Sequence, residues 1–166
     1  MSILKNRLDA LLVALGLCLF LGGCVNKPAP TTVYVLDPLP VAATQSALAL
    51  ATTDMIMVLP VRLPPQLRQQ SIVVDEGDGI PRALVGHFWA GPLAEQIGAN
   101  LVANLQTLLN SPNVTLYPGP RYATPRLQVE TEIIRFGGDL QHFTLRAITT
   151  ISDTQKRRIL SRKTFD

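Results

Sequence analysis

Both cysteines of this chain fall within its first 24 residues, so whatever folds beyond them must do so without a disulfide or a thiolate metal site. The second cysteine closes a processing signal. Lys5 and Arg7 make a basic start, residues 10–21 form an uncharged apolar run, and Leu21, Gly22 and Gly23 lead into Cys24. That run is too short and wrongly flanked for a stable membrane span, and it has the layout of a bacterial lipoprotein signal. Gly22 and Gly23 carry no side chain to obstruct a peptidase that threads the backbone in extended form. Cys24 supplies the thiol that takes a diacylglyceryl group, and its freed amine takes a further acyl chain such as palmitate. Three chains anchor durably, because each buried methylene contributes about 0.8 kcal/mol and one chain alone is marginal. Cys18 is a poor rival, since Leu17 precedes it where a small residue is needed. Val25 follows Cys24 in place of the aspartate that retains lipoproteins at the inner membrane, which predicts an outer-membrane, periplasm-facing address.

Three segments follow from this signal. Residues 1–23 are the expected signal peptide, residues 24–32 a polar, proline-rich tether, and residues 33–166 a single domain with a modest core. The net charge is +3, and the signal takes Lys5, Arg7 and Asp9 with it, which leaves about +2. So small an excess gives no reason to expect nucleic acid. The basic residues 156–158, 162 and 163 fit a solvated strand and turn, with approach to anionic headgroups as the alternative.

Along the domain, Val33 to Leu36 predicts a first strand, ended by Asp37-Pro38, and residues 40–53 read as a flexible stretch. Residues 55–61 are almost continuously apolar, which predicts a strand buried on both faces, with Pro60 confining its end to a sheet edge or a bulge. Leu63 to Leu67 is an irregular or single-turn element, residues 71–74 a short strand and residues 75–79 an acidic turn. That turn lacks the alternating ligands and terminal glutamate of a calcium loop. Trp89 to Leu93 opens a long helix with Pro92 near its first turn and Glu95 at its positive end. Leu93, Ile97, Leu101, Leu105 and Leu108 form its apolar stripe, while Glu95, Gln96, Asn100, Gln106 and Asn110 lie elsewhere on its surface.

Residues 111–113 stop the helix and residues 114–117 make a short strand before a proline-rich loop. The period then switches to two: Leu127, Val129, Thr131 and Ile133 share one face, and Gln128, Glu130, Glu132 and Ile134 the other. Turns at 137–139 and 152–155 separate two further strands, 141–151 and 157–165. The expected fold is α+β, a single domain in which a mostly antiparallel β-sheet meander packs against one long amphipathic helix. A half-covered meander ending at Asp166 wants another helix against it, so the domain is expected to continue in a longer version of this fold.

Chemistry is hard to find in this pattern. His87 and His142 form no metal-spaced pair, no serine lies in a GxSxG context, and Glu130 and Glu132 alternate on an exposed face where carboxylates are ordinarily solvated. No cofactor, metal site or catalytic residue is expected, and the chain reads as a non-enzyme. Trp89, beside Phe88, fits a core anchor, with a binding hot spot as the alternative.

Several pieces occur together in a recognisable order: Cys24 with its preceding Leu21, Gly22 and Gly23; Tyr34, Val35 and Leu36; Val58, Leu59, Pro60, Val61, Arg62, Leu63 and Pro64 with Leu67 behind; residues 71–74; and Phe88, Trp89, Ala90, Gly91, Pro92 and Leu93. In this the chain resembles the PqiC-type ABC-transport auxiliary lipoproteins of the paraquat-inducible pathway, which also stand beside other MCE-type lipid transporters of Gram-negative bacteria. It departs from them at Gly91, where that family usually has an acidic residue, and at 149–151, where it often has a tryptophan. The family also continues past position 166 into a further helix, so the resemblance carries the expectation that this chain is a C-terminally truncated copy. The resemblance implies a non-enzymatic lipoprotein of membrane integrity and lipid transport. It would sit on the outer membrane as a homo-oligomeric ring and dock an MCE-domain channel whose permease and ATPase supply the energy. Two other readings remain open: a stand-alone envelope lipoprotein that binds a peptide or lipid, and a lipid-anchored hydrolase with an unrecognised site.

Overall fold

The structure, a computed structural model, describes residues 30–40, 54–75, 79–120, 124–139 and 142–166. Leu21, Gly22, Gly23 and Cys24, most of the expected tether and the 41–53 stretch lie outside the described residues, as does most of the acidic turn. Residues 31–166 form one compact unit. Its element order is β1 (Thr32–Tyr34), β2 (Ile56–Val58), a single 3-10 turn (Pro65–Leu67), β3 (Ser71–Val74), β4 (Arg82–Trp89), α1 (Leu93–Leu109), β5 (Val114–Leu116), β6 (Leu127–Gly138), β7 (Phe143–Asp153) and β8 (Arg158–Phe165). The chain is therefore α+β, with one α-helix among the described residues.

Five strands form one sheet in the order β5-β2-β6-β7-β8. β6, β7 and β8 are the antiparallel meander that the alternating pattern predicts. β2 runs parallel to both β5 and β6, so it is a central strand, and Ile56, Met57 and Val58 are all buried. Pro60 does not put β2 at an edge. The ladder lapses at that point and resumes where Arg62 donates its N–H to the Thr131 carbonyl at 3.0 Å and accepts from the Ile133 N–H at 2.9 Å. Val58 pairs with Val129 and Arg62 with Glu132, so four steps on one strand match three on the other, which is a bulge.

A second sheet has the order β1-β4-β3. β4 occupies residues for which the sequence pattern predicts no element. Its alternation is broken by an irregularity: Ser71 pairs with Phe88 but Val73 with Ala83, so the intervening β4 residues bulge out, and Gly86 takes φ 80° where a side chain would be strained. Trp89 is the last residue of this strand rather than the start of the helix. The helix begins at Leu93, and Pro92, with extended ψ, stands at its cap position.

α1 lays one stripe on the five-stranded sheet. Leu93 is 2% exposed and packs with Val61, Leu63, Leu67, Ile133 and Ala147; Leu105 and Leu109 pack with Ile56, Val58, Val114 and Val129. Leu108, placed in the stripe by its spacing, is an exposed residue. Steps of four from Leu93 run through Ile97, Leu101 and Leu105 to Leu109, and Leu108 falls about 100° off that line. The helix approaches closely at Gly98, where a Cβ would lie 3.1 Å from Leu116 Cδ1. Asn110 ends α1 in the left-handed conformation, and the Ser111 N–H reaches back to the Gln106 carbonyl.

The second predicted turn is displaced by two residues. β7 continues to Asp153, and residues 154–157 turn, because the buried Asp153 carboxylate accepts the Lys156 N–H at 2.9 Å and caps the turn from inside the strand.

Candidate functional site

Between the three-stranded sheet and the far end of the β6–β7 hairpin lies an open apolar cleft of about 530 Å³. Its walls come from β1, β3, β4, β6 and β7, and it exists because β6 changes face. Val129, Thr131 and Ile133 point into the core, Ile134 is an extra residue opposite β7, and beyond it Phe136 turns to the inner side. Phe136 meets Trp89 edge-on at 6.1 Å and Phe143 edge-on at 4.9 Å. Ile72, Val73, Val74 and Leu84 line the opposite wall. Trp89 thus does two things: part of its ring packs against the core cluster and part lines the cleft.

Tyr34 and Leu36 form the rim nearest the N-terminus. β1 pairs parallel with β4, which sets Tyr34 beside Trp89. The Tyr34 ring stacks on His87 at 5.7 Å, and its hydroxyl is hydrogen-bonded to His87 Nδ1 at 2.8 Å. Leu36 is held by α1: Gln96 Oε1 accepts its N–H at 3.0 Å and Asn100 Nδ2 donates to its carbonyl at 2.7 Å. One turn further on, Asn104 Oδ1 accepts the Leu39 N–H at 2.9 Å. Gln96, Asn100 and Asn104 recur every four residues, so one edge of the helix offers the 36–39 segment the hydrogen bonds that a neighbouring strand would. The sequence reading set Gln96 and Asn100 on open surface; the regular spacing of the three amides was the available signal.

The motif residues therefore occupy several different places. Val61, Leu63 and Leu93 are buried in one cluster against which Leu36 and Trp89 pack, and Tyr34, Leu36 and Trp89 also border the cleft. Pro60 lies at the bulge on another side, in a small depression with Val61, Ala94 and Tyr117. Pro64 and Pro92 stand at the cap positions of the 3-10 turn and of α1. Phe136 and Phe143 were not legible as cleft residues, since the β6 bulge that brings them round has no sequence mark.

Asp139 is the one charged residue among the described residues that line this cleft. The Asp139 carboxylate accepts the His142 N–H at 2.6 Å and lies 3.4 Å from His142 Nδ1. Glu130 and Glu132 are both paired with Arg62 on the outer face of the sheet. Among the described residues no group of three or more His, Cys, Asp and Glu side chains is arranged to hold a metal ion, and no helix is long and apolar enough to cross a membrane.

A family model described as the ABC-type transport auxiliary lipoprotein component matches residues 34–166. The chain belongs to that family. The match spans nearly the whole compact unit, and it is the family to which the sequence resemblance pointed. No curated protein matches the chain. Two crystal structures are similar to this auxiliary lipoprotein in fold. One, of an uncharacterized protein, has a TM-score of 0.64 at 17% identity, covering 82% of this chain and 78% of that one. The other, protein XCC0632 from Xanthomonas campestris, assigned to the DUF330 family, has a TM-score of 0.60 at 14% identity, covering 81% and 75%. The auxiliary lipoprotein is thus an envelope-associated component of an ABC-type transport system.

Proposed function

We propose that this auxiliary lipoprotein is a non-enzymatic, periplasm-facing subunit of an MCE-type ABC lipid-transport system, and that it docks the transporter to the outer membrane. Residues 1–23 act as the signal, acylated Cys24 as the anchor, residues 24–32 as the tether and residues 33–166 as the docking domain. Its partners are an MCE-domain channel protein with a permease and an ATPase, and it works as a homo-oligomer. The observation that carries this reading is the family match over residues 34–166. The open apolar cleft and the pairing of Glu130 and Glu132 with Arg62 fit a binding role better than a catalytic one.

Mild crosslinking of the tagged, acylated protein in membranes tests it. Recovery of an MCE-domain protein together with its permease and ATPase is expected; recovery of none of them overturns the docking role. The cleft favours one second reading, a stand-alone lipoprotein that binds a lipid, and a crosslinked protein that stays alone but retains lipid would identify it.

A further inference from the structure

We infer that the outer edge of β8, together with the turn that leads into it, is a docking surface for an anionic phospholipid bilayer. It deepens the membrane-docking reading above and rests on the lipid anchor of that reading only for keeping the surface close.

β8 is the outermost strand of the five-stranded sheet. Lys156, Arg157, Arg158, Arg162 and Lys163 stand on it and on its turn, with no carboxylate residue between positions 154 and 165. The whole chain carries +3, so everything outside these five cations sums to −2. The net positive charge of the protein is therefore gathered along one edge. All five residues are exposed. Lys156 lies in the field of the buried Asp153 carboxylate, whereas Arg157, Arg158, Arg162 and Lys163 have no ion-pair partner among the described residues. The carboxylates of the adjoining strands are already engaged: Arg62 holds Glu130 and Glu132, and Arg146 holds Asp166.

Cations on an edge strand commonly serve only to keep it from pairing with another chain. That role accounts for Arg162 and Lys163, which lie within the ladder, but not for the rest of the pattern. Lys156 and Arg157 belong to the turn, and Arg157 takes φ 49°, a left-handed conformation that glycine or asparagine adopts more readily. Ile151 pairs with Ser161 but Ser152 with Ile159, so Leu160 is an extra residue. The bulge leaves Ile159 and Leu160 61% and 46% exposed, next to Arg158. Neighbouring aliphatic side chains on an outer strand invite pairing rather than prevent it. Flanked by cations, they match the boundary of a bilayer, where phosphates meet acyl chains. An acidic strand would answer the charge and leave the aliphatic pair in water. Each Lys or Arg close to an anionic surface strengthens binding roughly fivefold. Tyr34 lies ten residues after Cys24, a span of at most about 33–36 Å when fully extended, and so short a tether raises the effective concentration of the surface. A patch too weak to recruit a free chain thus suffices to orient an anchored one.

Fluorescence of the full-length acylated protein on vesicles tests this. A dye is attached at Gln155→Cys in the turn and, in a second preparation, at Val85→Cys, an 82% exposed position on β4. The vesicles are phosphatidylethanolamine mixed with either phosphatidylglycerol or phosphatidylcholine. Acrylamide quenching of the dye at 155 is expected to be at least threefold weaker on phosphatidylglycerol vesicles than on phosphatidylcholine ones. The difference is expected to vanish in about 1 M salt, where charges are screened beyond roughly 3 Å. The dye at 85 is expected to be quenched equally on both. Arg157→Glu with Arg158→Glu is expected to abolish the protection, and Arg157→Lys with Arg158→Lys to keep it, since a field of phosphates needs charge rather than the guanidinium fork. Should the charge reversal unfold by circular dichroism, Arg162→Glu with Lys163→Glu serves instead. Equal quenching of the dye at 155 on both vesicles, or protection at 85 as strong as at 155, overturns the docking surface. Protection that arises only when envelope proteins are added, on both vesicles alike, overturns the bilayer as occupant and points to an acidic protein. Flotation keeps the anchor separate: protein that floats with phosphatidylcholine vesicles retains the anchor whatever the dye reports. Protein that fails to float overturns the anchor, while the dye on phosphatidylglycerol still reads the patch.

Discussion

The side-chain amide of Gln96 receives the backbone N–H of Leu36 at 3.0 Å across a sequence separation of 60 residues, and so fastens the segment after β1 to the helix. Beyond Leu36 the same segment depends on Asn100 and Asn104. Ordinary hydrogen bonds of this kind contribute about 0.5–1.5 kcal/mol each. Gln96→Ala is therefore expected to speed amide exchange at Leu36, and Asn104→Ala at Leu39, while exchange in β6 and β7 stays unchanged. Hydrogen exchange resolved to single amides checks this, and equal protection in the variants would show that packing alone holds the segment.

Leu93 and Leu108 have the same side chain on the same helix and opposite surroundings. Leu93→Ala removes a residue 2% exposed and is expected to cost about 2–5 kcal/mol. Leu108→Ala, at a residue 37% exposed, is expected to stay within about 0.5 kcal/mol. Chemical denaturation of the two variants side by side measures the difference.

Gly98 brings the helix backbone close to β5, with Leu116 Cδ1 3.1 Å from where a Cβ would sit and Val61 Cγ2 3.9 Å away. Gly98→Leu overfills this contact and is expected to lower stability by about 1–3 kcal/mol despite leucine's better helix propensity. A variant as stable as the parent in thermal unfolding would mean that α1 can lift off the sheet at no cost.

Asp153 makes a pH-dependent contribution. The Lys156 N–H, then the Gln155 N–H and the charges of Arg126 and Lys156, hold its carboxyl below the ordinary value of 3.8, against the opposing effect of burial. A carboxylate with a lowered folded pKa adds stability above the unfolded value, and that stability is lost as pH falls from about 4 through the folded value. Asp153→Asn is expected to melt lower than the parent at pH 7 and to flatten the acid limb of the melting curve. Melting temperatures from pH 7 down to pH 3 report it.

Arg62 pairs with Glu130 and Glu132, and all three side chains are more than a third exposed. Arg62→Met is expected to change stability by less than about 1 kcal/mol, because water screens such pairs. A loss of several kcal/mol in urea unfolding would show a network far stronger than its exposure allows.

Period and punctuation carried most of the secondary structure. Alternation from Leu127 marked β6, apolar residues at three- to four-residue steps from Leu93 marked α1, and the run Ile56-Met57-Val58 marked a strand buried on both faces. These are local signals, because each reports which face of one element avoids water. The C-terminal meander was legible for the same reason, since its strands are sequential and joined by short turns. Order within the chain did the rest, linking Cys24, Tyr34, Pro60 and Trp89 to a family without revealing what any of them touches. Contacts made over long separations were beyond that reach. Nothing local places β2 between β5 and β6, since parallel pairing depends on residues some 60–70 positions away. Nothing local marks the extra residue Ile134, yet that single bulge reverses the parity of β6, turns Phe136 inward and opens the cleft against Trp89 and Phe143. Patterning settles which residues leave water; which of them meet is decided by register, and register is a property of paired strands.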